Sequence, residues 1–167
     1  MRSLLTFCIP AFNASGSQLA ATSVEGAVLV WSVDSGKLAL RIAAMDSAPK
    51  KICYSRNDRL LFIGTSDGQV VIWDIQTNSL LRKLVCHGDE VSSLVTTSDG
   101  KRLVTASSGD SHVREWDWEA GQKVFEFDSG LPGVLDARFD ATESELFVAG
   151  TDHGFRLFRI GSNKPSR

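Results

Sequence analysis

SDGQVVIWDIQTNS, residues 66–79, and GDSHVREWDWEAGQ, residues 109–122, follow one plan. Each sets an acid in a turn, alternates apolar and polar residues, reaches Trp-Asp and turns again. Trp73 and Trp116 are 43 residues apart; 42 residues before Trp73 stands Trp31, in EGAVLVWSVDSGK, and 42 after Trp116 stands Phe158, in DHGFRLFRIGSNK. Leu19, Leu61, Leu103 and Leu146 form a second ladder, and Phe12, Tyr54, Thr96 and Phe139 a third. Six residues before each ring is an acid: Glu25, Asp67, Asp110 and Asp152. Four registers sharing one period of about 40–45 residues define a repeat architecture. The units are 1–42, 43–84, 85–127 and 128–163.

Period-2 patterning and turn residues divide each unit into short strands. In the second unit KKICYS, LLFIGT, QVVIWDI and LLRKL are separated by the turns RNDR, SDG and QTNS. VSSLV, RLVTAS, HVREWDW and KVFEF repeat that order in the third, and FCIPAF, LAATS, AVLVWSV and LALRI in the first. The fourth has VLDARF, LFVAGT and FRLFRI, and no fourth strand. Helical periodicity is scarce, so the class is all-β. A four-stranded meander buries both faces only by stacking on its neighbours, which is how a β-propeller is built.

Residues 61–74, LFIGTSDGQVVIWD, and 87–117, HGDEVSSLVTTSDGKRLVTASSGDSHVREWD, resemble the WD-repeat β-propeller family. The resemblance implies four-stranded antiparallel blades, about four of them. Since such propellers most often have seven, it implies an open arc in which the first and fourth units do not touch. It also implies a hydrogen-bonded network of a His, a Ser or Thr, an Asp and the Trp. In the third unit these positions are His87, Ser107 (or its neighbour Thr105), Asp110 and Trp116. The second unit has Thr65, Asp67 and Trp73, with Ala48 near the His position. The first has Ser23, Glu25 and Trp31; the fourth keeps Asp152, with Gly150 and Phe158 in place of Ser and Trp. The four rings are expected at equivalent third-strand positions, mostly buried.

The same resemblance places partner-binding residues on the face carrying the inter-blade loops 43–50, 85–90 and 128–133 and the turns near the four acids. Met45, Leu131 and Pro132 are its apolar candidates, and Lys50 and His112 its polar ones. The implied function is a non-enzymatic scaffold for protein–protein interaction, a subunit or segment of a larger intracellular assembly, cytoplasmic or nuclear. The alternative is a half-propeller that self-assembles or completes the propeller of another chain.

Composition agrees with an ordinary folded domain. Of 167 residues, 43% are hydrophobic and 23% charged, and the net charge of −2 favours neither nucleic acid nor an anionic membrane as partner. No apolar run approaches the roughly 20 residues of a membrane helix. Cys8, Cys53 and Cys86 lack the spacing of a disulfide framework or a zinc site. There is neither a Walker-type loop nor a dinucleotide fingerprint, and no cofactor, metal or catalytic group is expected. A hydrolase triad of Ser107, His87 and Asp110 is set aside because their register assigns them to the blade. His112 and His153 occupy equivalent turns and read as solvent-facing. The opening MRSLLTFCIPAFNASG loosely resembles a signal peptide and holds the glycosylation triplet Asn13-Ala14-Ser15. Phe12 and Leu19 are nevertheless in the repeat register, so the segment reads as a strand.

Overall fold

The computed structural model describes residues 7–23, 25–43 and 45–160, with the side chains of residues 7–9 outside that description. Residues 1–6 and the polar tail 161–167 therefore lie outside the described residues, as does the side chain of Cys8. Among the described residues, fifteen strands form four antiparallel meanders. The first sheet is β1 (Phe7–Phe12), β2 (Gln18–Ser23), β3 (Val28–Ser32) and β4 (Leu38–Ile42); the second is β5 (Pro49–Tyr54), β6 (Leu60–Thr65), β7 (Gln69–Asp74) and β8 (Ser79–Val85). The third is β9 (Val91–Thr96), β10 (Arg102–Ser107), β11 (His112–Asp117) and β12 (Gln122–Asp128). The last has three strands, β13 (Val134–Phe139), β14 (Glu145–Gly150) and β15 (Phe155–Arg159).

The sequence ladders are the strand registers. Leu19 pairs with Trp31, Leu61 with Trp73, Leu103 with Trp116 and Leu146 with Phe158. Across the other side of the second strands, Phe12, Tyr54, Thr96 and Phe139 pair with the same leucines. Each four-stranded sheet also bulges immediately before its Trp, between the third and fourth strands. A bulge adds local twist, so the period is carried in backbone geometry as well as in side chains.

Alternation then builds the cores. Leu61 and Ile63 of β6 face the first sheet with Val28, Val30 and Ile42, while Leu60 and Phe62 face the third with Val91, Leu94, Leu103 and Trp116. A third cluster joins Val104, Ala106 and Val113 to Leu131, Val134, Ala137, Leu146 and Val148. The first strands of successive sheets touch, β1 to β5, β5 to β9 and β9 to β13, so they line the inside of an arc. Gly64 permits a close approach of the second and third sheets: a Cβ there would lie 2.7 Å from Val91 Cγ1. No strand pairing joins the first sheet to the last among the described residues, and the arc is open.

The turns between first and second strands hold the sheets together along one rim. Gly16, Asp58, Gly100 and Glu143 are the left-handed residues of the four turns, with φ of 73°, 59°, 71° and 56°. The Asp58 carboxylate accepts from the backbone N–H of Ala14 at 2.6 Å and Ser15 at 3.1 Å, clasping the first sheet. Glu143 likewise accepts from the Ser98 N–H at 2.6 Å and its hydroxyl at 2.8 Å, clasping the third. Asn13 is itself buried, and its Nδ2 donates to Ser15 Oγ and Ser17 Oγ. The amide that a glycan would need is thus a turn-closing group inside the fold.

Candidate functional site

The densest polar cluster belongs to the third sheet, and the loop 85–90 delivers its histidine. Gly68, at φ 80°, accepts the backbone N–H groups of Cys86 and His87 at 3.0 and 2.9 Å. A Cβ on Gly68 would lie 2.2 Å from the His87 carbonyl oxygen, so glycine is what lets the loop cross the turn of the preceding sheet. His87 is buried. Its Nε2 lies 2.9 Å from Thr105 Oγ1 and its Nδ1 lies 3.1 Å from Asp110 Oδ2. Trp116 Nε1 donates to Thr105 Oγ1 at 3.0 Å. With the proton on Nδ1 the bonds run in one direction, Trp116 to Thr105 to His87 to Asp110. Asp110 also accepts from the His112 backbone N–H at 2.9 Å and from Arg114 Nη1 at 2.8 Å. Arg114 contacts His87 Nδ1 as well, and its Nε donates to Glu126 Oε1 at 2.8 Å on the outer strand.

This environment decides the charges. Burial lowers the His87 pKa; the Arg114 charge adds to that, and the bond to Asp110 opposes it only in part. For Asp110 burial works against ionisation, but the bonds from Arg114 and His87 outweigh it and hold the carboxyl below its ordinary range. The arrangement is a neutral imidazole beside an Asp–Arg ion pair. Its hydroxyl is committed to the indole and the imidazole, so it is not placed as an activated nucleophile.

Thr105, not Ser107, therefore stands between His87 and Trp116. Ser107 Oγ accepts from the Gly109 N–H at 3.1 Å. Ser23 and Thr65 do the same for their own turns, accepting from Ala27 N–H and Gln69 N–H at 3.2 Å each. These three hydroxyls close the turns between second and third strands. By register, the counterparts of Thr105 are Ile63 and Ala21, neither of which can accept from an indole. Trp73 Nε1 turns instead to Asn78 Oδ1 at 3.3 Å, and Thr65 Oγ1 donates to Asp67. The offset relating Val91 to Pro49 relates His87 to Met45 rather than to Ala48. Met45, Thr65, Asp67 and Trp73 line a cleft of about 70 Å³ there. Of the four rings only Trp116 is buried; Trp31, Trp73 and Phe158 are half-buried, less than their pattern suggests.

Arg114 escapes sequence reasoning altogether, because an Arg on an alternating strand reads as solvated. The Asp of each Trp-Asp pair has a separate structural part. Asp74 accepts from the N–H groups of Gln76 and Thr77 and from Arg59; Asp117 accepts from the Ala120 N–H and from Arg102. Arg59, ahead of those backbone bonds, holds Asp74 below the usual carboxylate range.

The five surface candidates separate. Leu131 is 1% exposed, inside the core between the third and fourth sheets, which removes it from any partner surface. Met45 packs against the core between the first two. Pro132 is exposed, Lys50 pairs with Glu90 at 2.9 Å, and His112 is half-buried at the edge of the Asp110 turn. Among the described residues no three His, Cys, Asp or Glu side chains gather as metal ligands do. No helix of the described residues is long and apolar enough to cross a membrane.

The WD40 family model, "WD domain, G-beta repeat", matches residues 46–74 and 78–117. Over those residues, with one register shared by all four sheets and a stack that is not closed among the described residues, the chain carries WD40 repeats of β-propeller type. It is 26% identical over 149 residues to "WD repeat and SOCS box-containing protein 1" of Takifugu rubripes, covering 82% of this chain and 35% of that one. It is 30% identical over 109 residues to "Retinoblastoma-binding protein 5 homolog" of Drosophila melanogaster, covering 65% and 22%. Against "Pre-mRNA-splicing factor cwf17" of Schizosaccharomyces pombe it is 23% identical over 153 residues, covering 91% and 45%. The chain spans less than half the length of each of these relatives.

Proposed function

We propose that the chain is a non-enzymatic WD-repeat scaffold that mediates protein–protein interaction within a larger intracellular assembly, cytoplasmic or nuclear. The observation that carries this reading is the outward face of the fourth sheet. Phe147 is 46% exposed and Phe155 72% exposed. At the same register positions Phe62 and Val70 of the second sheet are 0% exposed, covered by the next blade. An apolar sheet face of this kind is one that a further surface, of this protein or of a partner, covers. The names of relatives as different as a splicing factor and a SOCS-box protein accord with one scaffold serving several assemblies.

The same face favours a second reading, in which the arc self-assembles or completes the propeller of another chain. Affinity purification from native cells with partner identification tests the first, and the mass of the purified chain in solution separates the two. Recovery of a defined set of partners is expected. A discrete dimer that captures nothing else supports the second reading and overturns the first.

A further inference from the structure

The concave side of the arc, at the rim opposite the inter-blade loops, holds a groove of about 380 Å³. Its walls come from the ends of the first strands of the sheets. Lys51 and Arg56 line it beside Arg138, Tyr54, Leu94 and Phe12. Neither Lys51 nor Arg56 makes an ion pair or a side-chain hydrogen bond among the described residues. Arg138 Nε donates to Asp136 Oδ2 at 3.0 Å, and Asp136 also accepts from Ser93; Asp58, close enough to act on Tyr54, is committed to the Ala14 and Ser15 N–H groups. The chain is net acidic at −2, which makes three cations around one hollow a local feature and not a consequence of composition. Tyr54 is an independent pointer. It lines the groove, is 7% exposed, and its buried hydroxyl has no hydrogen-bond partner among the described residues. Buried hydroxyls in folded proteins are nearly always bonded, so one left over is a cost that an incoming acceptor removes.

We infer that this groove binds an acidic peptide segment, its carboxylates meeting Lys51, Arg56 and Arg138 and accepting from the Tyr54 hydroxyl. Phe12, 63% exposed at the groove, provides an apolar seat for a neighbouring side chain. Mixed apolar and cationic walls suit a peptide better than free phosphate, which needs donors alone. The volume falls in the range of small-ligand pockets, about 300–1,000 Å³, enough for a few residues of extended chain. The surface is separate from the inter-blade loop face on which WD-repeat partners are expected, and it does not rest on that reading.

The test is fluorescence anisotropy of the whole chain with a labelled Glu-Ser-Glu-Phe-Glu-Ser peptide, against the same peptide with Lys for Glu. Binding of the acidic peptide alone is expected. It should weaken at least tenfold in Lys51→Glu/Arg56→Glu and severalfold in Tyr54→Phe, and be unchanged in Lys37→Glu, on the outer turn of the first sheet. Circular dichroism confirms that each variant is folded. The inference is overturned if the peptide does not bind, if Lys37→Glu weakens it as much as the groove variants, or if inorganic phosphate at equal concentration displaces it fully.

Discussion

Thr105 is the residue on which the polar cluster turns. Its hydroxyl is 0% exposed and bonded to both Trp116 and His87, so Thr105→Val strands an indole N–H and an imidazole nitrogen in the interior. That should cost about 1–3 kcal/mol, the range for a buried group left unpaired. Ser107→Ala, which removes only a turn contact, should cost visibly less in the same urea titration. Trp116→Ala should cost about 3–5 kcal/mol, and Trp73→Ala less, because that ring is half-buried and its N–H reaches only the exposed Asn78. His87 also gives the protein a pH dependence. Its folded pKa lies below the unfolded value of about 6.5, so on acidification the unfolded chain takes up the proton first. Stability from this group is complete above about pH 6.5 and is lost as pH falls toward the lowered folded value. Urea midpoints of the wild type should therefore drop between neutral pH and that lower value, and His87→Gln should flatten the drop.

At the scale of elements, the sheets are joined by contacts that a single-residue inventory misses. Gly64 on β6 faces Val91 on β9 with no room for a methyl group. Gly64→Ala should force the first strand of the third sheet outward and cost about 1–3 kcal/mol, as overpacking does. Val91→Ala in the same chain should recover part of that loss in a double-mutant cycle, whereas independent sites would add. The Asp58 and Glu143 clasps work along the opposite edge of the wedge. Asp58 owes its low pKa to bonds from Ser15 and Ala14, which prevail over its partial burial. Both acids occupy left-handed turn positions, where glycine is the usual resident. Their side chains reach the neighbouring sheet from there, which is a reason for a non-glycine residue at that φ.

For the whole molecule the decisive fact is that no strand pairing joins the first sheet to the last among the described residues. The arc presents Leu135, Phe147 and Phe155 on the outer face of its last sheet. Sedimentation velocity of the purified chain should show association that grows with concentration, and Phe147→Lys/Phe155→Lys should reduce it. Because both side chains are already substantially exposed, the same variant should leave the unfolding midpoint nearly unchanged. A wild type that stayed monomeric at high concentration would show that this face needs no cover.

The period of Trp31, Trp73, Trp116 and Phe158 determined the strands, their pairing and the stacked-blade class. A β-sheet register is a periodic property, and periodicity is visible in one dimension. The same repeat made it plain that the acids fall in turns and placed three strands in the described part of the fourth unit. What it left open depends on which of two same-facing neighbours reaches across space. Thr105 and Ser107 both lie on one face of β10, two residues apart, and only the packed position of the indole chooses Thr105. Leu131 has the sequence character of a loop residue, yet its loop folds inward and the side chain completes a core. His87 meets Thr105 from the neighbouring loop, and Arg138 comes to Lys51 and Arg56 because the first strands of the sheets converge. Such convergence is a matter of three-dimensional distance, which no spacing along the chain encodes.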